Sequence, residues 1–149
     1  MRAGKDWMYV LLQFILFGVY LIEIDLITIS LPEWFKLGVL TFSVLGIIII
    51  VLSFYQLGSN LSPFPSPVKN ADLITTGIFK YLRHPIYTGI LLILFSVAIY
   101  ITSEYKLIIS ILLLILFQFK SKYEESRLIA NFENYKDYMK DTGKFIPKL

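Results

Sequence analysis

The sequence predicts an all-α integral membrane protein of about four transmembrane helices, with a cytoplasmic loop and a C-terminal amphipathic helix forming its site. Three observations predict this. Of 149 residues, 56% are hydrophobic and 17% charged, with a mean hydropathy of +0.69. An ordinary soluble domain carries roughly 25% charged residues, and so short a chain cannot hide this much apolar side chain in one aqueous core. Second, four apolar stretches approach the roughly 20 residues of helix that cross a hydrocarbon layer. Third, lysine and arginine fall almost entirely on one side of those stretches.

The stretches run approximately Trp7 to Ile29, Trp34 to Leu57, Pro85 to Thr102 and Tyr105 to Phe119, the last borrowing Lys120 to Tyr123 to complete its crossing. Arg2 and Lys5 before the first run resemble a signal peptide. No small-residue cleavage site follows, so the span is expected to be retained. No internal repeat or low-complexity segment divides the chain, and residues 1–149 read as a single transmembrane domain. With the N-terminus cytoplasmic, Arg2, Lys5, Lys69, Lys80, Arg83 and all seven basic residues from Lys120 onward fall inside. Only Lys36 and Lys106 fall opposite, which favours a multi-pass protein with both termini cytoplasmic.

The outer connections, Ser30 to Glu33 and Ser103 to Glu104, are too short to build a site. Glu23 and Asp25 should reach the outer interface at the end of the first span. Chemistry is expected on the inner face, which carries the Gly58 to His84 loop and the tail from Lys120. Pro63, Pro65 and Pro67 prevent regular helix in the first part of that loop. In the tail, Leu128, Phe132, Tyr135 and Met139 share one helical face, and Thr142-Gly143 should end the helix. Absence of cysteine excludes disulfides, a thiolate nucleophile and cysteine metal sites, and the single histidine, His84, excludes a multi-histidine metal cluster. The net charge of +3 is explained by membrane topology rather than by nucleic acid.

Two short segments carry chemistry. In Thr76-Gly77-Ile78-Phe79-Lys80-Tyr81-Leu82-Arg83-His84-Pro85-Ile86-Tyr87-Thr88-Gly89, Pro85 suits the first turn of a helix. Arg83 and His84 then stand beside its positive end, a place for a carboxylate or phosphate. Glu124 and Glu125 follow the fourth span and could hold an ammonium or sulfonium. The third and fourth spans form a hairpin of about 27 Å per arm, so its inner ends should bring Arg83 and His84 to face Glu124 and Glu125.

These residues, with Thr75-Thr76-Gly77, Leu128, Phe132, Tyr135, Tyr138 and Phe145-Ile146-Pro147, resemble the isoprenylcysteine carboxyl methyltransferase and phospholipid methyltransferase family over roughly Gly58 to Pro147. Ser59 and Leu61 depart from it, standing where many relatives carry arginine and tryptophan. The resemblance implies a membrane-embedded methyltransferase with S-adenosylmethionine as cofactor and no metal. Its acceptor would be lipophilic, an isoprenylcysteine carboxylate-like group, a lipid head group or a lipidated substrate, entering from the bilayer among membrane lipids. It further implies cofactor contacts from His84, Tyr87, Gly89, Glu124, Glu125, Tyr135 and Tyr138, and catalytic roles for Arg83 and Glu125, with Arg83 near the acceptor or the cofactor carboxylate. A sterol-type NADPH-dependent reductase shares the Arg-His-Pro element, but its pattern has asparagine where Ile86 stands and an acidic residue where Ile90 stands. A small membrane transporter or structural subunit is the non-enzymatic alternative. Gln13, Thr41, Ser43, Ser96 and Ser110 give it only a thin set of polar groups.

Overall fold

The computed structural model describes residues 4–24, 30–67 and 71–148. Arg2, Asp25 and Lys69, which entered the topology argument above, lie outside these. The described chain is all-helical: α1 (Gly4–Tyr20), α2 (Glu33–Leu57), α3 (Pro85–Tyr100), α4 (Glu104–Asn131) and a short α5 (Tyr135–Asp141), with single 3-10 turns at Gly58–Asn60 and Gly77–Lys80.

Of the four long helices, α2 and α3 keep close to the bounds expected from hydropathy, whereas α1 and α4 do not. α1 stops at Tyr20, short of Ile29: Leu21 and Ile22 turn back onto the Gly18 and Val19 carbonyls, and Lys106 Nζ caps the Tyr20 carbonyl at 2.8 Å. Glu23 lies past this end, exposed. α2 keeps its expected span, about 37 Å at 1.5 Å per residue. It ends at Gly58, whose φ of 48° and bond to the Phe54 carbonyl close the last turn. α4 instead overruns its expected end by two turns and more. Residues 120–131 contain neither glycine nor proline, so nothing in their propensities stops the helix where the apolar run stops. The single C-terminal amphipathic helix is thereby corrected: Leu128 belongs to α4, the chain breaks at Phe132, and Tyr135 and Met139 belong to α5. Thr142 ends α5 as expected.

Among the described residues, one helix, Glu33–Asn60, is long and apolar enough to cross a membrane, and Pro85–Tyr100 is a shorter apolar helix. α4 is long enough but is interrupted by Lys106 and Lys120, which are buried in the protein. Many large apolar side chains are exposed on α1, α2 and α4, including Leu11, Phe14, Val51, Ile111 and Phe119. Gln13, Ser53, Ser96, Lys106, Ser110, Lys120 and Ser121 are turned inward. Water disfavours such a surface.

α1 packs on α4, α4 on α3, and α3 on α2, so α1 and α2 form the two edges of the bundle. The α2–α3 contact is close because it is made at glycines. A Cβ on Gly46 would lie 2.6 Å from the Gly89 carbonyl, and one on Gly89 would lie 2.6 Å from the Gly46 carbonyl. Small residues permit this backbone approach between apolar helices. The α3–α4 hairpin turns at Ile101–Ser103, where the Ser103 hydroxyl accepts from the Lys106 N–H. The opposite end of the bundle gathers the start of α1, the end of α2, the start of α3 and the polar part of α4.

Candidate functional site

At that end the Tyr81–His84 backbone is fixed from two sides. Gly77, at φ 59°, lies against the Gln56 side chain, whose Oε1 accepts from the Ile78 N–H at 3.0 Å; a Cβ at Gly77 would meet that amide at 2.2 Å. From the other side the tail pairs with it in parallel. Arg83 N donates to Gly143 O at 2.8 Å, His84 N to Lys144 O at 3.1 Å, and Gly143 N to Tyr81 O at 3.2 Å. Pro85 takes the first helical position of α3, and His84 is its N-cap.

The hairpin brings the two chemical segments together. Arg83 Nε donates to Glu125 Oε1 at 2.8 Å, and His84 Nε2 lies 3.2 Å from the same oxygen. Arg83 Nη1 also donates to the Met139 carbonyl at 3.1 Å and to the Thr142 carbonyl. The guanidinium thus ties α3, α4 and α5 to one another. Tyr87 donates to Glu124 Oε2 at 3.0 Å, and His84 Nδ1 is 3.7 Å from that oxygen. His84, Tyr87 and Phe117 form a stacked column, with Phe145 edge-on to His84 and Tyr87.

The two glutamates differ. Burial would raise the Glu125 carboxyl, but hydrogen bonds from His84 and Arg83, together with their charges, override it and hold it down at about 2. Burial dominates at Glu124 and raises it above the usual carboxylate range, against the opposing influence of His84, the Tyr87 hydroxyl and Lys120. Burial also raises the Tyr135 phenol, beside both carboxylates, and pushes Tyr138 up to about 12. Both therefore remain hydroxyl donors, and Tyr138 donates to the Phe79 carbonyl at 2.5 Å.

A cavity of about 340 Å3 opens beside this network. Arg83, His84, Tyr87, Glu124, Tyr135 and Tyr138 line it. Glu125 stands behind them, bonded to Arg83 and His84. Gly89 does not line it and lies at the α2–α3 contact. The roof is the Asn60–Pro67 segment, and the apolar wall includes Phe54, Leu57, Ile86, Ile90, Leu128 and Phe132. A separate apolar groove of about 540 Å3, which Phe145 faces, lies between α2, α3 and α4.

Two lining residues escaped the sequence reading. Lys120 was placed among the cytoplasmic basic residues, and Gln13 among scattered polar groups of the spans. The structure buries both and joins them, with Lys120 Nζ 2.5 Å from Gln13 Oε1 and 2.9 Å from the Pro63 carbonyl. The available signal was spacing: Lys120 precedes Glu124 by four residues and so shares its helix face.

Fold and site together define a small helical protein with a largely apolar exterior and, at one end of its bundle, a cavity of ligand size whose mainly apolar lining carries a cluster of polar groups. The chain belongs to the phospholipid methyltransferase family, which matches residues 34–135. This family is one of methyltransferases associated with lipids and membranes. The match begins earlier than the Gly58 expected, taking in α2. It ends at Tyr135, leaving α1, most of α5 and Phe145-Ile146-Pro147 outside. A comparison with curated proteins finds no match.

Proposed function

We propose that the protein is a multi-pass membrane methyltransferase that binds S-adenosylmethionine in the cavity between α3, α4 and α5 and methylates a lipophilic acceptor drawn from the bilayer. The observation that carries this reading is the convergence of His84, Tyr87 and Glu124 on a 340 Å3 cavity in a chain of this family. The volume falls in the range of small-molecule sites. The lining suits the cofactor: a carboxylate for its cationic groups, a hydroxyl donor at Tyr135, and aromatic faces that include the Tyr138 ring. S-adenosylmethionine supplies a methyl group already activated by a sulfonium.

What remains for the protein is alignment in a water-poor pocket. Glu124, which faces the cavity, is the residue for a positive ligand group. Arg83 and Glu125 are engaged with one another and with the tail, and serve as the pair that holds His84 and α5 in place. α1 and α2, the two edges of the bundle, both contribute to the cavity wall, through Gln13 on one and Phe54 and Leu57 on the other. The gap between these edges is the entrance for a lipid acceptor. All four long helices cross the bilayer in this reading, with the cavity on the cytoplasmic side.

Thermal unfolding of the purified protein with S-adenosylmethionine, S-adenosylhomocysteine or NADPH tests the class of ligand. Stabilisation by both adenosyl compounds is expected. Stabilisation by NADPH alone would replace methyl transfer with reduction, and a response to none of the three would remove both enzymatic readings.

A further inference from the structure

The apolar groove between α2, α3 and α4 takes no part in the function proposed above. α3 separates it from the cavity: Ile86 and Ile90 line the cavity, whereas Thr88, Leu92, Phe95 and Ile99 line the groove from the other side of the helix. From Thr88 to Ile99 is eleven residues, about 17 Å of helix rise. That is close to the depth of one leaflet, half of a hydrocarbon core of roughly 30 Å. Apart from Ser96, the polar side chains of the groove, Thr88 and Gln118, lie at the end nearer the site.

The same end carries positive charge without a counter-charge. Lys144 Nζ lies 3.4 Å from the Gln118 carbonyl and side-chain oxygens and 5.6 Å from the centroid of the Phe145 ring, and both of these residues line the groove. Among the described residues no carboxylate forms an ion pair with Lys144. Glu125 attracts it, but that carboxylate is committed to Arg83 and His84. Lys122 repels it and stands four residues beyond Gln118, on the same face of α4.

We infer that this groove binds an anionic phospholipid of the cytoplasmic leaflet, its phosphate on Lys144 and Lys122 and one acyl chain along α3. The lipid is a resident ligand and not a methyl acceptor, because it lies across α3 from the cavity and away from the entrance between α1 and α2. Its effect on the site runs through the tail. Phe145 lines the groove, lies edge-on to His84 and Tyr87, and has its carbonyl held by the Thr88 hydroxyl at 2.9 Å. A chain packed on Phe145, with the head group on Lys144, braces the segment whose Gly143 and Lys144 carbonyls accept from the Arg83 and His84 N–H groups. Lys144 and Phe145 lie beyond the family-matched residues, so the family pattern does not account for this site.

The test titrates the purified full chain in detergent with dioleoyl phosphatidylglycerol, zwitterionic dioleoyl phosphatidylcholine or glycerol 3-phosphate, the two lipids at equal micellar mole fraction. Thermal unfolding and native mass spectrometry read binding, and hydrogen exchange reads the Arg83 and His84 amides. One phosphatidylglycerol per chain is expected, preferred over phosphatidylcholine about fivefold for each lysine, or about 25-fold in all. Lys144→Gln and Lys122→Gln should each remove about fivefold of that preference, and the double variant all of it. Lys136→Gln, at an exposed lysine of the tail, should remove none. Leu114→Trp, in the groove wall, should abolish binding with both lysines in place. Bound phosphatidylglycerol should slow exchange at Arg83 and His84 in the wild type and not in the double variant.

Equal binding of the two lipids would overturn the proposal. So would a preference that survives in the double lysine variant or falls as far with Lys136→Gln, which is how a general surface charge behaves. Glycerol 3-phosphate binding as tightly as the lipid, or a folded Leu114→Trp protein that retains the lipid, would remove the groove from the site. Should Leu114→Trp fail to fold, the lysine variants decide the matter alone. Exchange that ignores the lipid would overturn its link to the tail. None of these readouts involves S-adenosylmethionine, so they stand or fall apart from the methyl-transfer reading.

Discussion

α4 carries two buried lysines fourteen residues apart, close to four full turns, so both face α1. Lys106, at the hairpin end, donates to the Tyr20 carbonyl at 2.8 Å and lies 5.0 Å from the Tyr20 ring centroid. Lys120, at the other end, reaches Gln13 of α1 and lies over the Tyr87 ring. Residue type, burial, helix face and partner helix are the same, yet the surroundings differ. The first lysine closes a helix C-terminus, where a cation is favoured by the backbone dipole, and Tyr105 adds a bond to the Val19 carbonyl beside it. The second borders a cavity with carboxylates on its wall. Burial of a charge therefore does not identify a site; what the charge borders does.

The largest expected effect lies in the network beside Lys120. Arg83→Ala removes the partner of a buried carboxylate together with the guanidinium's bonds to the Met139 and Thr142 carbonyls. Breaking a buried pair in this way costs about 3–5 kcal/mol. Thermal unfolding should report that loss, and a variant as stable as wild type would show that the ion pair does not hold the site end together.

Next in size is the acid dependence of the same pair. The Glu125 pKa is depressed from its ordinary 4.5 to about 2, so between these values the unfolded chain binds the extra proton. The stabilisation is fully present above about pH 4.5 and is lost as pH falls towards 2. The shift corresponds to about 3 kcal/mol. Unfolding midpoints over that window should fall in the wild type and lose this component in Glu125→Gln. Equal slopes would mean that Glu125 is not held ionised by Arg83 and His84.

The two lysines are separated by Lys106→Met, which leaves the Tyr20 carbonyl without its cation. A destabilisation of about 2 kcal/mol is expected, the scale of a hydrogen bond to a charged group. Affinity for S-adenosylhomocysteine should not change. If it fell, the hairpin end would be coupled to the site and the contrast between the two lysines would fail.

Much of this contrast could be read in the sequence, and the remainder could not for identifiable reasons. Pro85 as a helix start and the hairpin geometry foretold that Arg83 and His84 would meet Glu124 and Glu125, because a local rule and a helix rise fix those positions. Hydropathy misplaced the ends of α1 and α4, since an apolar run marks what lipid accepts and not where backbone hydrogen bonding stops. Lys106 and Lys120 read as interfacial charges because topology rules count charges without their partners, and the partners lie about a hundred residues away in sequence. Gly89 was grouped with the cofactor contacts through its motif, whereas its surroundings are those of a helix crossing.

The smallest expected effect concerns Glu124 and is a slope. Its carboxyl is raised by burial, with His84 and Tyr87 facing it from α3 and Lys120 and Glu125 from α4. Only the ionised form attracts a sulfonium, so cofactor affinity should climb as pH rises through the raised pKa and level off above it. The gain is at most about tenfold per pH unit, or roughly 1.4 kcal/mol. By linkage, binding of the cation lowers that pKa and releases a proton. S-adenosylhomocysteine shares the amino-acid and nucleoside groups but lacks the positive sulfur, so ionisations common to both ligands cancel when the two slopes are compared. Calorimetric titration of each ligand across mildly acidic to neutral pH should give a steeper rise for S-adenosylmethionine, and Glu124→Gln should bring the two slopes together. Parallel slopes in the wild type would place the sulfonium away from Glu124.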